Sequence, residues 1–274
     1  MRLVSWNIRQ LAIWDQLALR GAELALLQEA PKPPRSAAHA SPGWPEEILP
    51  EAGETWATGK HSPWRTAIAR LSSSFTLKPI PSGGIDADSS TLRVSRPGTL
   101  TAATVVVGGK ELFTAISVYA QWEGPLGALK PIWADGSAHR LLSDVSPLIR
   151  HHGLPLVVSG DWNILLGYGE HGAKYNKFRY QTVFDRAEAL GLRFVGPEYP
   201  HGRQADPWPP ELPTESKCVP TYHHSGQTRE TATRQLDFVF ASESFASGVQ
   251  ATAINEPGDW GPSDHCPVLI DVDV

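Results

Sequence analysis

Short apolar runs recur from one end of the chain to the other, and several of them stop at a residue able to carry chemistry. Leu24-Ala25-Leu26-Leu27-Gln28 stops at Glu29, Val157-Val158-Ser159-Gly160 at Asp161, and Ile116-Ser117-Val118 at Tyr119. The first run, Arg2–Ile8, carries Asn7 near its end. Runs this short and this apolar read as strands covered on both faces rather than as helices, which need longer periodic stretches. A chain of this kind is constrained to a layered sheet structure in which the strand ends, not the strand faces, are free to hold polar groups.

The other segments fit that frame. Thr66–Leu71, Ser74–Ile80, Leu100–Val107 and Glu111–Tyr119 continue the strands, with Gly108-Gly109 as a hairpin turn between the last two. Leu154–Ser159, Leu236–Ala241, Val249–Ile254 and Val268–Val272 complete them. Leu11–Leu19 reads as a short helix closed by Gly21. Asp135–His151 places Leu141, Leu142, Val145, Leu148 and Ile149 at helical spacing, and Gln181–Leu190 does the same with Val183, Phe184, Ala187 and Leu190. Pro31–Pro63 and Pro197–Pro220 are rich in proline and read as long loops. No linker divides the strands, so residues 1–274 are expected to form one α/β domain.

Composition narrows the partners. An apolar fraction of 41% supports a large core, and a net charge of −5 argues against a generic basic coat for nucleic acid. A nuclease stays open, because a bound divalent cation and a local basic patch can supply the phosphate contact. Cys218 and Cys266 lack zinc-type spacing and read as two reduced thiols. No apolar run reaches the length of a secretory core or a membrane span, so the expectation is a cytoplasmic protein without membrane contact.

The candidate chemistry lies in five places. Asn7 and Glu29 end what read as neighbouring strands, which would set an amide oxygen beside a carboxylate and suit a hard cation such as Mg²⁺. In Ser159-Gly160-Asp161-Trp162-Asn163, the glycine lets the backbone turn, a carboxylate can take a proton from water, and an amide can hold an oxyanion. Asp237 opens a strand, and Ser263-Asp264-His265-Cys266-Pro267 precedes the last one. A carboxylate on one imidazole nitrogen would fix the tautomer of His265 and raise its basicity. Tyr119 is either a core aromatic or a phenol offered to phosphate, and Trp44, Trp56, Trp64, Trp122 and Trp208 are either lids over the core or stacking surfaces. His223-His224 read as surface residues.

Taken in order, Ser5-Trp6-Asn7, Leu27-Gln28-Glu29, Ser159-Gly160-Asp161-Trp162-Asn163, Leu236-Asp237 and Ser263-Asp264-His265-Cys266-Pro267 resemble the endonuclease/exonuclease/phosphatase superfamily of metal-dependent phosphoesterases. The resemblance implies a four-layer sandwich of two mixed β-sheets flanked by helices, the DNase I-like fold. It implies Glu29 as the main ligand of Mg²⁺ or Mn²⁺, with Asn7 and Asp264 beside the metal. Asp161 would position and deprotonate the attacking water, Asn163 would hold a phosphate oxygen, and His265 oriented by Asp237 would stabilise the phosphorus centre.

Tyr119 stands where members similar to exonuclease III, AP endonucleases and retroelement endonucleases carry a tyrosine, which implies DNA as substrate. Arg9 stands where AP endonucleases often have an acid, so it fits substrate contact better than a second metal, and Trp122 is a further substrate-side candidate. The segment Thr221–Arg234 lacks the aromatic-rich pattern that builds an abasic-site pocket. The expected function is a divalent-metal-dependent DNA endo- or exonuclease. The alternative is a phosphatase or phosphodiesterase for a small or lipid-linked phosphoester.

Overall fold

The computed structural model describes residues 1–17, 21–31, 47–50, 65–84, 86, 91–123, 134–151, 153–169 and 172–274. The strands are β1 (Arg2–Asn7), β2 (Leu24–Gln28), β3 (Glu47–Pro50), β4 (Ala67–Arg70), β5 (Thr76–Ile80), β6 (Ser82–Gly83) and β7 (Leu92–Arg93). They continue with β8 (Leu100–Val107), β9 (Lys110–Tyr119), β10 (Leu156–Asp161), β11 (Leu192–Gly196), β12 (Asp237–Ser242), β13 (Val249–Ala253) and β14 (Val268–Val272). Two helices, α1 (Ala134–His151) and α2 (Lys174–Ala189), flank β10 in the chain.

Twelve of these strands form two six-stranded mixed sheets, in the orders β13-β14-β1-β2-β4-β3 and β11-β12-β10-β9-β8-β5. Each sheet has one parallel pair at its centre, β1 with β2 and β9 with β10, and antiparallel pairs on either side. The sheets pack face to face. Leu3, Leu24, Leu26 and Ile68 of the first meet Val105, Phe113, Ala115, Val157 and Val239 of the second in one apolar layer. Burial on both faces explains why Leu24–Leu27 of β2 and Leu156–Val158 of β10 are continuously apolar instead of alternating.

The outer face of the second sheet is covered by α1 and α2 through Leu141, Leu142, Val145, Tyr180, Val183 and Phe184. The outer face of the first is covered, among the described residues, by the segment that buries Ile13, Trp14 and Leu17. Over residues 11–17, the described part of the expected helix Leu11–Leu19, that segment is instead a 3₁₀ turn at Trp14–Gln16, tightened by three-residue hydrogen bonds such as Gln16 N to Ile13 O at 2.9 Å; residues 18 and 19 lie outside the described residues. The fold is therefore the expected sandwich of two mixed sheets, with regular helices on one side of the described molecule. No helix among the described residues is long and apolar enough to cross a membrane.

Other boundaries also shift. The second helix starts at Lys174 rather than Gln181, because its first turns are largely exposed, with Tyr175 and Phe178 facing solvent, and carry no core-facing apolar period. The expected loop Pro31–Pro63 contains β3, and β11 appears where no strand was expected. Trp44, Trp56 and Trp64 lie outside the described residues. Trp208 is partly buried against the helical core, with its indole N–H on Leu212 O at 3.2 Å.

Polar contacts bind the two sheets at the seam. Gln28 Nε2 on β2 donates to Ser117 Oγ on β9 at 3.0 Å, and Ser117 Oγ donates back to Leu27 O at 2.8 Å. Both side chains are buried.

Candidate active site

The sheet topology gathers the polar strand ends. In each sheet the central pair is parallel, so Asn7 and Gln28 end side by side in one, and Tyr119 and Asp161 in the other. The antiparallel neighbours start at the same edge: Asp237 pairs with Asp161, and β14 enters beside the end of β1. Glu29 follows Gln28 and His265 precedes β14, so residues from six distant stretches of sequence meet at one rim of the sandwich.

Asn7 bridges the sheets. Its Nδ2 donates to Glu29 Oε1 at 3.1 Å and to Asp161 Oδ2 at 3.0 Å, while its Oδ1 accepts the Arg9 backbone N–H at 3.0 Å. The amide nitrogen, not the expected oxygen, thus faces the carboxylates. Ionised carboxylates only accept, so an amide between two of them must turn its NH₂ group inward.

Backbone strain concentrates here. Among the described residues, the non-glycine residues with left-handed φ are Arg9 (47°), Gln10 (58°), Glu29 (49°) and Asn163 (52°). Each such conformation costs on the order of 1–3 kcal/mol and persists where the surroundings impose it, most often at functional sites.

The imidazole of His265 lies between two carboxylates. Its Nδ1 is 2.8 Å from Asp237 Oδ2 and its Nε2 is 3.7 Å from Asp161 Oδ2. Burial works against a charge on the ring, but Asp237 and then Asp161 outweigh it and hold the pKa of His265 well above the ordinary histidine range. Burial pushes the Asp161 carboxyl up, opposed by His265 and assisted by Asp237 and Glu29. The three groups form a proton-holding chain, carboxylate–imidazole–carboxylate, at the buried end of the cleft.

Neighbours fix this chain in place. Trp6 Nε1 donates to His265 O at 2.9 Å, Ser263 Oγ donates to Asn7 O at 2.7 Å, and Thr221 Oγ1 accepts from Leu236 N and Asp237 N at 3.0 and 3.1 Å. Trp6 and Thr221 are buried, which keeps water from competing for these bonds.

Around it opens a cleft of about 480 Å³, lined by residues that include Glu29, Tyr119, Trp122, Asp161, Asn163 and His265. The hydroxyl of Tyr119 bonds Glu29; burial, then the charges of Glu29 and Asp161, push its pKa far up, so the phenol remains a donor. Asp264 reaches the cleft with Oδ2 3.6 Å from Arg9 Nη1, and Arg9 is largely exposed. Asn163 N donates to Asp161 Oδ1 at 2.9 Å and Asn163 Nδ2 to Asp161 Oδ2 at 3.1 Å.

Two lining residues escaped the sequence. Tyr222 has its ring 4.8 Å from that of His265, and Arg234 is its bridge partner. They flank a segment without strand period, and no local signal marks either. His223 donates its backbone N–H to Asp264 O at 3.0 Å and sets its ring 5.4 Å from that of Trp260, while His224 Nδ1 accepts from Gly226 N at 2.9 Å within a local turn. Cys218 and Cys266 are free and buried.

The donor set suits a hard divalent cation. Glu29, Asp161, Asp237 and Asp264 bring four carboxyl groups to one rim, against His265, Arg9 and Arg234. Partial burial pushes the Glu29 carboxyl up despite the pull of Asn7, His265 and Tyr119, which marks a half-buried carboxylate short of positive charge. Oxygen donors of this kind are what Mg²⁺ and Mn²⁺ take. Asp161, Asp237 and His265 also present ligand atoms within 4.8 Å of one another. The two ring nitrogens, however, face different carboxylates, which fits proton holding better than a shared ion.

No known family model matches the sequence, and no curated protein matches it. Among solved structures, the chain is similar to the endonuclease domain of TRAS1, a telomere-specific non-LTR retrotransposon. That match has TM-score 0.62 and 15% identity, and covers 100% of this chain and 98% of that one. It is also similar to the Xenopus laevis APE2 catalytic domain, with TM-score 0.64 and 15% identity, covering 99% of this chain and 91% of that one. The shared property at this identity is the fold, and it is the fold implied by the sequence resemblance.

Proposed function

We propose that the chain is a divalent-cation-dependent phosphodiesterase that hydrolyses nucleic acid, with DNA as the preferred substrate and residues 1–274 acting as one domain. The observation that carries this reading is the convergence of Asn7, Glu29, Tyr119, Asp161, Asn163, Asp237 and His265 at one rim, joined across two sheets by direct hydrogen bonds. The likeness of the fold to a retrotransposon endonuclease domain and to the APE2 catalytic domain supports it.

Each residue then has a task. Glu29 would hold Mg²⁺ or Mn²⁺, with Asp264 as a further carboxylate whose charge already reaches it and Asn7 fixing its direction. The cation, when bound, supplies Lewis-acid polarisation and charge neutralisation at the phosphate. Asp161, buried and raised toward neutral range, accepts the proton of the attacking water. His265, held charged by Asp237, offers Nε2–H to a non-bridging oxygen of the crowded phosphorus centre. Asn163 donates its second amide N–H to a phosphate oxygen, the Tyr119 hydroxyl holds Glu29 in place, and Arg9 and Arg234 at the rim add cationic contact with the strand.

The test is hydrolysis by the purified protein of single-stranded, duplex, nicked and abasic DNA, RNA and a panel of small phosphoesters. The expected result is DNA cleavage that stops with chelator and returns with Mg²⁺ or Mn²⁺. Asp161→Ala and His265→Ala should each lower kcat/KM by about 10³-fold or more with the fold intact by circular dichroism. Phosphate release from small esters with all DNA left whole would replace this reading by that of a small-molecule phosphatase.

A further inference from the structure

Trp122 follows β9 and stands at the cleft as one of the chain's 10 tryptophans. Its indole Nε1 donates to Asn163 Oδ1 at 3.0 Å. On its other side Asn163 Nδ2 donates to Asp161 Oδ2 at 3.1 Å. The two contacts together dictate the orientation of the amide. An indole nitrogen can only donate, so it must meet the amide oxygen; an ionised carboxylate can only accept, so it must meet the amide nitrogen. A reversed amide would set donor against donor at one end and acceptor against acceptor at the other.

The backbone on both sides of the contact is fixed independently. Asn163 lies between Trp162 and Ile164, both buried, and its left-handed φ of 52° aims the side chain back over Asp161. The Trp122 segment is tied down by Ala120 N to Asp161 O at 2.8 Å and Gln121 N to Tyr119 O at 3.1 Å. One N–H of the Asn163 amide is engaged by Asp161, which leaves the second available to an oxygen in the cleft.

We propose that Trp122 is a positioning residue: its indole N–H holds Asn163 so that the amide faces Asp161 and the cleft as a donor and never as an acceptor. This rests on the phosphodiesterase reading, in which that donor meets a phosphate oxygen. It also reassigns Trp122, whose ring need not stack on a base for its loss to matter.

The experiment compares Trp122→Phe, which keeps a ring and removes the N–H, with Asn163→Ala and the double variant. Trp122→Phe should lower kcat on a DNA phosphodiester about tenfold, with KM changed less than about twofold, as expected for one hydrogen bond lost at a transition-state contact. In the Asn163→Ala background the same change should have little further effect, since the interaction is already absent. A normal kcat with raised KM in Trp122→Phe would overturn the proposal in favour of base stacking, and full additivity in the double variant would overturn it as well.

A second measurement is independent of turnover. The indole N–H resonance that disappears in Trp122→Phe should shift in Asn163→Ala; an unmoved resonance would refute the contact. A protein that hydrolyses no phosphoester yet shows this shift would retain the orienting contact while the phosphodiesterase reading falls.

Discussion

At Cys218 the thiol is buried and donates to Leu166 O at 3.1 Å, and burial pushes its pKa up to about 11. The sign of the consequence is set by linkage: the unfolded chain releases this proton near pH ~9, whereas the folded chain keeps it. The contribution to stability is thus fully present below about pH 9 and lost as pH rises toward about 11. Denaturant melts across that window should decline more steeply for the parent protein than for Cys218→Ala, and equal slopes would contradict the assignment. At neutral pH neither thiol should react with a labelling reagent until the protein is unfolded. Single residues were legible where chemistry sits at the end of an apolar run, as with Glu29 and Asp161. They were not legible where the role depends on a partner distant in sequence: the direction of the Asn7 amide is set by two carboxylates from two sheets, and Tyr222 reaches His265 through an irregular bridge.

Strand β10 is where local sequence and packing constrain each other most. Gly160 pairs with Val118 of β9, and a Cβ at that position would sit 1.9 Å from Val118 O and 2.8 Å from Val118 C. Backbone cannot yield as a flexible side chain does, so Gly160→Ala should cost more than about 4 kcal/mol and show as loss of soluble, cooperatively melting protein. The seam below the site gives a finer contrast. Gln28 Oε1 is buried without a partner, while Ser117 keeps its bond to Leu27 O whatever occupies position 28. Gln28→Met, which also withdraws the donor from Ser5 Oγ at 3.4 Å and Leu26 O at 3.1 Å, should cost about 1–2 kcal/mol, whereas Gln28→Glu, which buries a charge, should cost about 3 kcal/mol or more. Chemical denaturation of the two variants side by side checks both. Elements were readable where periodicity is strong, as in α1. Periodicity fails where one face is solvated and short, which is why the first turns of α2 and the strand β11 do not stand out, and why Leu11–Leu19 reads as helical although the apolar residues of its described part serve a tight turn.

In the whole molecule the two sheets repeat one plan, a parallel pair flanked by antiparallel strands, with the free ends of both pairs on the same rim. That plan was legible as a class, because apolar runs spread along the chain demand two layers; strand order was not, since it depends on which distant runs pair. Gathering carboxylates at this rim predicts coupling between cation binding and stability. Adding Mn²⁺ or Mg²⁺ at about 100 times Kd should stabilise the fold by about 2.7 kcal/mol, read as a rise in Tm over chelator-treated protein. Glu29→Gln should reduce that rise sharply, and an undiminished rise would place the cation elsewhere. The rim also has a mechanical side. Asn7 to Asp161 and His265 to Asp237 each join one layer to the other, so the site belongs to neither sheet. Its geometry works as a vernier on the seam: a slip of one layer past the other that leaves the core dry and the strands intact is already large on the scale of a hydrogen bond. Alignment of the site is then a stricter condition than being folded.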